Sequence, residues 1–226
     1  MTVFNPEAIL RVLARHCVDY IIVGGIGGVL HGSPMSTSDV DIVPALKKTN
    51  LEALAAALNE LNASIMADGV AGGIKVQWTS NELQKWIVDF QFLNLETDHG
   101  RLDLIHRPGG TRGYQDLATK AEALSLDDIE VRVAALEDII RSKQAVGRDR
   151  DLEHLPTLRL LLENKSAAVR PGQSVTVPWE LSTASGTVVQ TRGVGPRARA
   201  VVRVKVPGGG SADLEFPVDS VTPTDD

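Results

Sequence analysis

Apolar residues recur every three or four positions near the start of the chain, at Ile9, Val12, Leu13 and Cys17. That spacing draws one face of a helix. Asn5-Pro6-Glu7 just ahead of it predicts the helix start, with Asn as cap and Pro at the first helical position. Cys17, continuing the pattern, is expected to be a small buried residue. "DYIIVGG" then reads as a buried strand ending at glycines, "IGGVLHG" as a short helix and "DVDIV" as a second strand. Thr49-x-x-Glu52 predicts a capping box before the helix of "LEALAAALNEL". "IKVQW", "WIVDFQFL" and "RLDLIH" are strand-like in their content of Val, Ile and aromatics. "YQDLATKAEAL" is expected to be helical, "IEVRVA" a strand and "ALEDIIRSKQAV" a helix, with Pro156 opening a last helix, "PTLRLLLENK".

After Lys165 the helical period disappears. Short Val/Thr runs alternate with Gly, Pro and Ser at spacings that suggest a small β-barrel or sandwich. The pattern therefore predicts two domains. Residues 1–165 form an α/β (α+β) domain, a mixed sheet flanked by helices with a helical tail. Residues 166–226 form a small all-β module, by analogy an SH3-like barrel.

Composition narrows the classes. With 226 residues, 43% of them apolar, the chain can bury a substantial core. It has no apolar run long enough to span a membrane and no signal-peptide pattern, so a cytoplasmic protein is expected. The single Cys17 excludes an internal disulfide and a multi-cysteine zinc site. A net charge of -6 argues against a general nucleic-acid coat protein while leaving room for a local basic groove. Arg192, Arg197, Arg199, Arg203 and Lys205 offer one. The same residues also read as the outward positions of an ordinary strand.

The candidate chemistry lies in "VGGIGGVLHGSPMSTSDVDIV". Asp39 and Asp41 are two apart on a strand, so they share a face, while Val40 and Ile42 point to the core. Paired carboxylates repel one another, and a hard divalent cation such as Mg²⁺ resolves that repulsion. Gly24 and Gly25 end the preceding strand and permit close backbone approach to a ligand. The short helix that follows, with hydroxyls at Ser33, Ser36, Thr37 and Ser38, could serve phosphate. His31 lies in the same loop, with contact to phosphate and a structural role both open. The spacing does not match the dinucleotide fingerprint G-x-G-x-x-G.

Gly-Gly, a short spacer and [S/T]-x-D-x-D on a strand resemble the signature of the DNA polymerase β-like nucleotidyltransferase superfamily. The resemblance implies two Mg²⁺ ions, with Mn²⁺ as an alternative, held by Asp39, Asp41 and a third carboxylate, and an NTP as substrate. Asp89 in "WIVDFQF" and Asp103 in "GRLDLIH" are both candidates for the third acid, and Asp103 matches the family strand better. "VAALEDIIRSKQAVGRDRDLEHLPTL" is similar to the segment after the catalytic sheet in AbiEii- and MenT-like nucleotidyltransferase toxins. Carried over by position, Lys143 matches that group's lysine and Arg150-Asp151 its basic-Asp pair, with Arg148 just before.

The resemblance thus implies a catalytic set of Asp39, Asp41, Asp103 and Lys143. Gly24, Gly25, Ser36, Thr37, Lys143, Arg148, Arg150 and Asp151 would hold the nucleotide. Met35 departs from the pattern, standing where many relatives carry a basic residue. The implied activity is transfer of an NMP from an NTP to an acceptor hydroxyl. For the toxin group the acceptor is the 3′ end of a tRNA, and a cognate antitoxin protein would be a partner. Transfer to a small molecule such as an antibiotic, transfer to a protein, and a non-catalytic nucleotide-binding regulator are the alternatives.

Overall fold

The computed structural model describes residues 3–126, 128–166, 169–179, 182–192, 198–206 and 209–224. The chain divides into two compact units, Met1–Arg159 and Leu160–Asp226.

In chain order the first unit contains α1 (Pro6–Arg15), β1 (Tyr20–Val23), α2 (Gly24–Leu30), β2 (Asp39–Pro44), α3 (Lys48–Glu60), β3 (Ser64–Ile65) and β4 (Ile74–Lys75). It continues with α4 (Ser80–Phe90), β5 (Phe92–Thr97), β6 (Gly100–Ile105), α5 (Tyr114–Ala118), β7 (Glu122–Leu126), β8 (Ile129–Val133) and α6 (Leu136–Val146). The division between units falls within α7 (Asp149–Ser166).

The eight strands form one mixed sheet in the order β4-β3-β5-β6-β2-β1-β8-β7. β2 runs parallel to β6 and β1 parallel to β8, and the other pairs are antiparallel. Alternation along β2, β5 and β6 puts Val40, Ile42, Leu93, Leu95, Leu102 and Leu104 on one buried face. These join a single core with side chains of α1, α3 and α4. Ile9, Leu10 and Leu13 of α1 are wholly buried there, each stabilising the fold by about 1.5–3 kcal/mol. A polar brace ties the strand ends together. The Asn50 amide donates to the carbonyls of Asp19 and Ala45, and the Asp19 carboxylate accepts from Tyr114 Oη and Arg132.

Several expectations are corrected. Asn5 caps α1 through the Ala8 amide, but the helix ends in a Schellman turn, with Val18 N–H on Leu13 C=O and Cys17 N–H on Ala14 C=O. Cys17 is the left-handed residue of that turn and is exposed rather than buried. α3 starts two residues too early for Thr49 to cap it, with Lys47 at the cap position, so the expected box does not form. "WIVDFQFL" is not one strand: α4 takes it through Phe90, capped by Thr79, which receives the Glu82 amide. Leu83 and Ile87, four apart, are buried on the inner face of α4. "YQDLATKAEAL" is helical only over α5, and its second half is β7. Pro156 lies inside α7 rather than at its start.

The second unit carries β9 (Ser174–Trp179), β10 (Ser182–Arg192), β11 (Arg199–Val206), β12 (Gly210–Pro217) and β13 (Thr222–Pro223) in a sheet ordered β12-β11-β10-β9-β13. All its pairings are antiparallel, and among the described residues none closes it into the expected barrel. Its core is separate: Val175, Val177, Val188, Ala200, Val202, Val204 and their neighbours. On β11, Arg199, Arg203 and Lys205 alternate with buried residues. Arg203 is held by both oxygens of Asp213. Arg197 lies outside the described residues. Among those described, no helix is long and apolar enough to cross a membrane.

Candidate active site

The face of the first sheet opposite that core carries the acids. Asp39 and Asp41 alternate outward from β2 between buried neighbours. The parallel register sets Asp39 beside Arg101 and Asp41 beside Asp103. The antiparallel register of the next strand sets Asn94 beside Asp103 and Glu96 beside Arg101. Paired residues of adjacent strands share a face, so a band of Asp41, Asp103 and Asn94 runs across three strands, flanked by Asp39, Arg101 and Glu96. Asp89, the other candidate for the third carboxylate, is exposed on α4 and belongs to no strand.

The end of β1 abuts Asp41. Gly24 has φ +64, and a Cβ there would lie 1.8 Å from Asp41 Oδ2. Only glycine fits, by conformation and by space. The Gly25 amide donates to the Asp41 carboxylate. A Cβ on Gly25 would lie 2.6 Å from Thr37 Oγ1. That hydroxyl donates to Asp39 Oδ1 at 2.6 Å, orienting one acid as Gly25 orients the other. Ser36 is exposed on the same loop. His31 is buried, with Nε2 2.8 Å from the Ala134 carbonyl, a structural role.

Burial first, then the charges of Asp39 and Asp103, push the Asp41 carboxyl up to about 7, against the opposing pull of the Gly25 amide and Lys143. Burial and Asp39 push Asp103 up to about 6, with Arg101 opposing. Asp103 Oδ1 is buried and has no hydrogen-bond partner. Among the described residues no three acidic, imidazole or thiol side chains close on a point as a metal cage. The donor chemistry nevertheless suits a hard divalent cation: carboxylate oxygens only, mutually repelling, one of them orphaned.

Lys143 sits in the last turn of α6, and Gly147 at φ +65 ends that helix. The chain turns into α7 and returns Asp151 to Lys143, Nζ to Oδ1 2.9 Å, with both side chains largely buried. The pair is therefore made across a turn and not along one continuous helix. Arg148 and Arg150 are exposed. Below them Arg141 bridges Asp138 and Asp116 at 3.0 and 2.9 Å, fixing α6 against α5.

Sequence reasoning missed the rest of the open face. Beyond Asn94 the surface falls into a cleft of about 840 Å³ walled by Trp86, Phe90, Phe92, Asp68 and Glu96. The signal was present in "FLNLET", whose strict alternation puts Phe92, Asn94 and Glu96 on the outer face.

Comparison with known proteins gives four findings. The lincosamide antibiotic adenylyltransferase LnuA, solved with lincomycin bound, is 16% identical, with 71% of this chain and 99% of that one covered and a TM-score of 0.48. A candidate nucleotidyltransferase from Thermotoga maritima is 17% identical, with 72% and 96% covered and a TM-score of 0.41. No curated protein sequence matches significantly. The model of the aminoglycoside-2''-adenylyltransferase family matches residues 7–158, more than half of the chain and the whole of the acidic face with its lysine. On that match the chain belongs to the aminoglycoside-2''-adenylyltransferase family and is a nucleotidyltransferase.

Proposed function

We propose that the chain transfers a nucleoside monophosphate, AMP from ATP in the simplest case, to a hydroxyl of an amine-bearing small molecule of the antibiotic type. The observation that carries the reading is the placement of Asp39, Asp41 and Asp103 on one sheet face, Asp41 and Asp103 in register, with an unpartnered oxygen on Asp103. Mg²⁺ or Mn²⁺, held by these three acids, would supply the positive charge that polarises the attacking hydroxyl and neutralises the departing pyrophosphate.

The chain's own residues then have distinct tasks. Lys143 offers a positive charge to the triphosphate, and Asp151 holds that ammonium in place. Arg148 and Arg150 are free to fold over the phosphates. Gly24 makes room for the Asp41 carboxylate against the end of β1, while Gly25 and Thr37 orient the two acids of β2. Ser36 is left to reach a phosphate oxygen. The Asp103 carboxylate takes the proton of the acceptor hydroxyl as the hydroxyl oxygen bonds the α-phosphorus and the bond to the β-phosphate breaks.

A second reading keeps the same chemistry with the 3′ end of a tRNA as acceptor and an antitoxin as partner. It is favoured by the Lys143–Asp151 pair, the feature on which the resemblance to AbiEii- and MenT-like toxins rests. One experiment separates the readings. The protein is incubated with Mg²⁺ and each α-³²P-labelled NTP, against a panel of aminoglycosides and lincosamides and against total tRNA. Label on an antibiotic supports the first reading and label on tRNA the second. Tight NTP binding with no transfer to either defeats both and leaves a nucleotide-binding regulator.

A further inference from the structure

A cation stands among the acids. The outward positions of β2, β6 and β5 carry the carboxylates of Asp39, Asp41, Asp103 and Glu96, and Arg101 is the basic residue among them. The register places it beside Asp39 on one side and beside Glu96 on the other. Opposite charges so placed on adjacent strands usually join. Here Asp39 turns the other way, its Oδ1 taken by the Thr37 hydroxyl at 2.6 Å. Among the described residues no carboxylate lies within ion-pair distance of the Arg101 guanidinium. Arg101 is exposed, and its charge is felt by Asp103, whose carboxyl it pulls down against burial and Asp39.

The rest of the site is short of free positive charge. From His16 to Leu46, the stretch that builds the glycine turn and the acid pair of β2, there is no lysine or arginine. Lys143 is matched to Asp151 at 2.9 Å, and it shares the wall of a small cavity with Gly24, on the β1 side of the acids. Arg101 is on the β6 side, one strand spacing of about 4.8 Å from the backbone of Asp39. The phosphate that reacts must lie against the acids proposed to hold the metal. It therefore lies between the two cations, with Lys143 toward the leaving end and Arg101 toward the acceptor's side. A guanidinium fork matches the paired oxygens of a phosphate better than an ammonium does.

We infer that Arg101 holds a non-bridging oxygen of the nucleotide's α-phosphate. The inference rests on the nucleotidyltransferase reading and deepens it. In the transfer the acceptor's hydroxyl oxygen bonds the α-phosphorus and its proton passes to Asp103. The bond from that phosphorus to the oxygen bridging the β-phosphate breaks, and pyrophosphate leaves with the electron pair. The non-bridging oxygens keep their negative charge throughout, and the Arg101 N–H groups donate to one of them from a fixed strand.

The test uses the full chain and measures binding by calorimetry with Mg²⁺ and no acceptor, so it needs no knowledge of what is modified. The ligands are ATP and the Sp and Rp forms of ATP with sulfur at the α-phosphate, which put the sulfur in one non-bridging position or the other. Arg101→Gln is expected to weaken ATP roughly tenfold, the scale of one hydrogen bond to a charged group, and Arg101→Lys to recover part of that loss. Sulfur accepts poorly from a guanidinium, so the ratio of Sp to Rp affinity should change by about fivefold in Arg101→Gln. A residue that only relieves repulsion among the acids would weaken both forms alike. An unchanged ratio therefore overturns the inference, as does unchanged ATP affinity. Circular dichroism establishes that the variants are folded. If Arg101→Gln does not fold, Arg101→Lys carries the test, since it keeps the charge and loses the fork, and its ratio must still shift. Normal ATP binding in the wild type with no effect of either substitution strikes only at Arg101, whereas a wild type that binds no ATP strikes at the nucleotidyltransferase reading beneath it.

Discussion

At the scale of single residues, the acidic face is a store of repulsion. Asp41 sits against Asp39 and Asp103 in a buried setting, and its carboxyl is pushed up to about 7. A carboxyl raised in the folded state binds more protons folded than unfolded between its two pKa values. Its ionisation therefore lowers stability as pH rises from the ordinary value of 3.8 to about 7, and the loss levels off above that. Asp103 acts the same way up to about 6. The expected outcome is that Asp41→Asn melts higher than wild type without metal, by a margin that grows between pH 4 and 7 and then stays flat. Melting curves at several pH values measure it, and a margin that shrinks over that window refutes the assignment. Mg²⁺ should raise the wild-type melting temperature more at pH 8 than at pH 5.5, since the cation competes with protons for the same oxygens. The same residue is expected to matter most for turnover: Asp41→Ala should lose at least roughly two orders of magnitude in nucleotidyl transfer, measured as labelled product with Mg²⁺ present.

At the scale of elements, what could be read from the sequence was local and what could not was tertiary. "DVDIV" announces a strand with two acids outward by alternation alone, and "GG" announces the tight approach that Gly24 makes to Asp41. The neighbours of that strand are another matter. Asp103 lies opposite Asp41, and Asn94 opposite Asp103, through pairings between segments distant in the chain, and no periodicity encodes a register. Asp89 shows how composition misleads. "WIVDF" is rich in β-formers, yet Thr79 caps a helix through it, and Leu83 and Ile87 bury that helix against the core. Cys17 and Pro156 make the same point at helix ends, where a left-handed turn and a tolerated proline override the pattern. The cap is testable. Thr79→Ala should destabilise the first unit by about 1 kcal/mol, read from chemical denaturation, and an unchanged midpoint would mean that packing alone holds α4.

At the scale of the molecule, each of the two sheets has its own hydrophobic core, and all the candidate chemistry lies on the first. The second unit is small, its core little more than a layer of valines and alanines. Small domains bury a modest fraction of their surface and have little stability to spare. Val202 is wholly buried in β11, paired with Val188 on one side and Leu214 on the other. Val202→Asp would put a carboxylate there without a partner, at a cost of several kcal/mol, enough to unfold a unit of this size. The residues proposed to hold the nucleotide and metal all precede Arg159 and rest on the other core. The variant should therefore lose the methyl NMR signals of the β unit while binding ATP with Mg²⁺ to within about twofold of wild type, as independent sites do. Loss of ATP binding together with those signals would show instead that the second sheet contributes to the site.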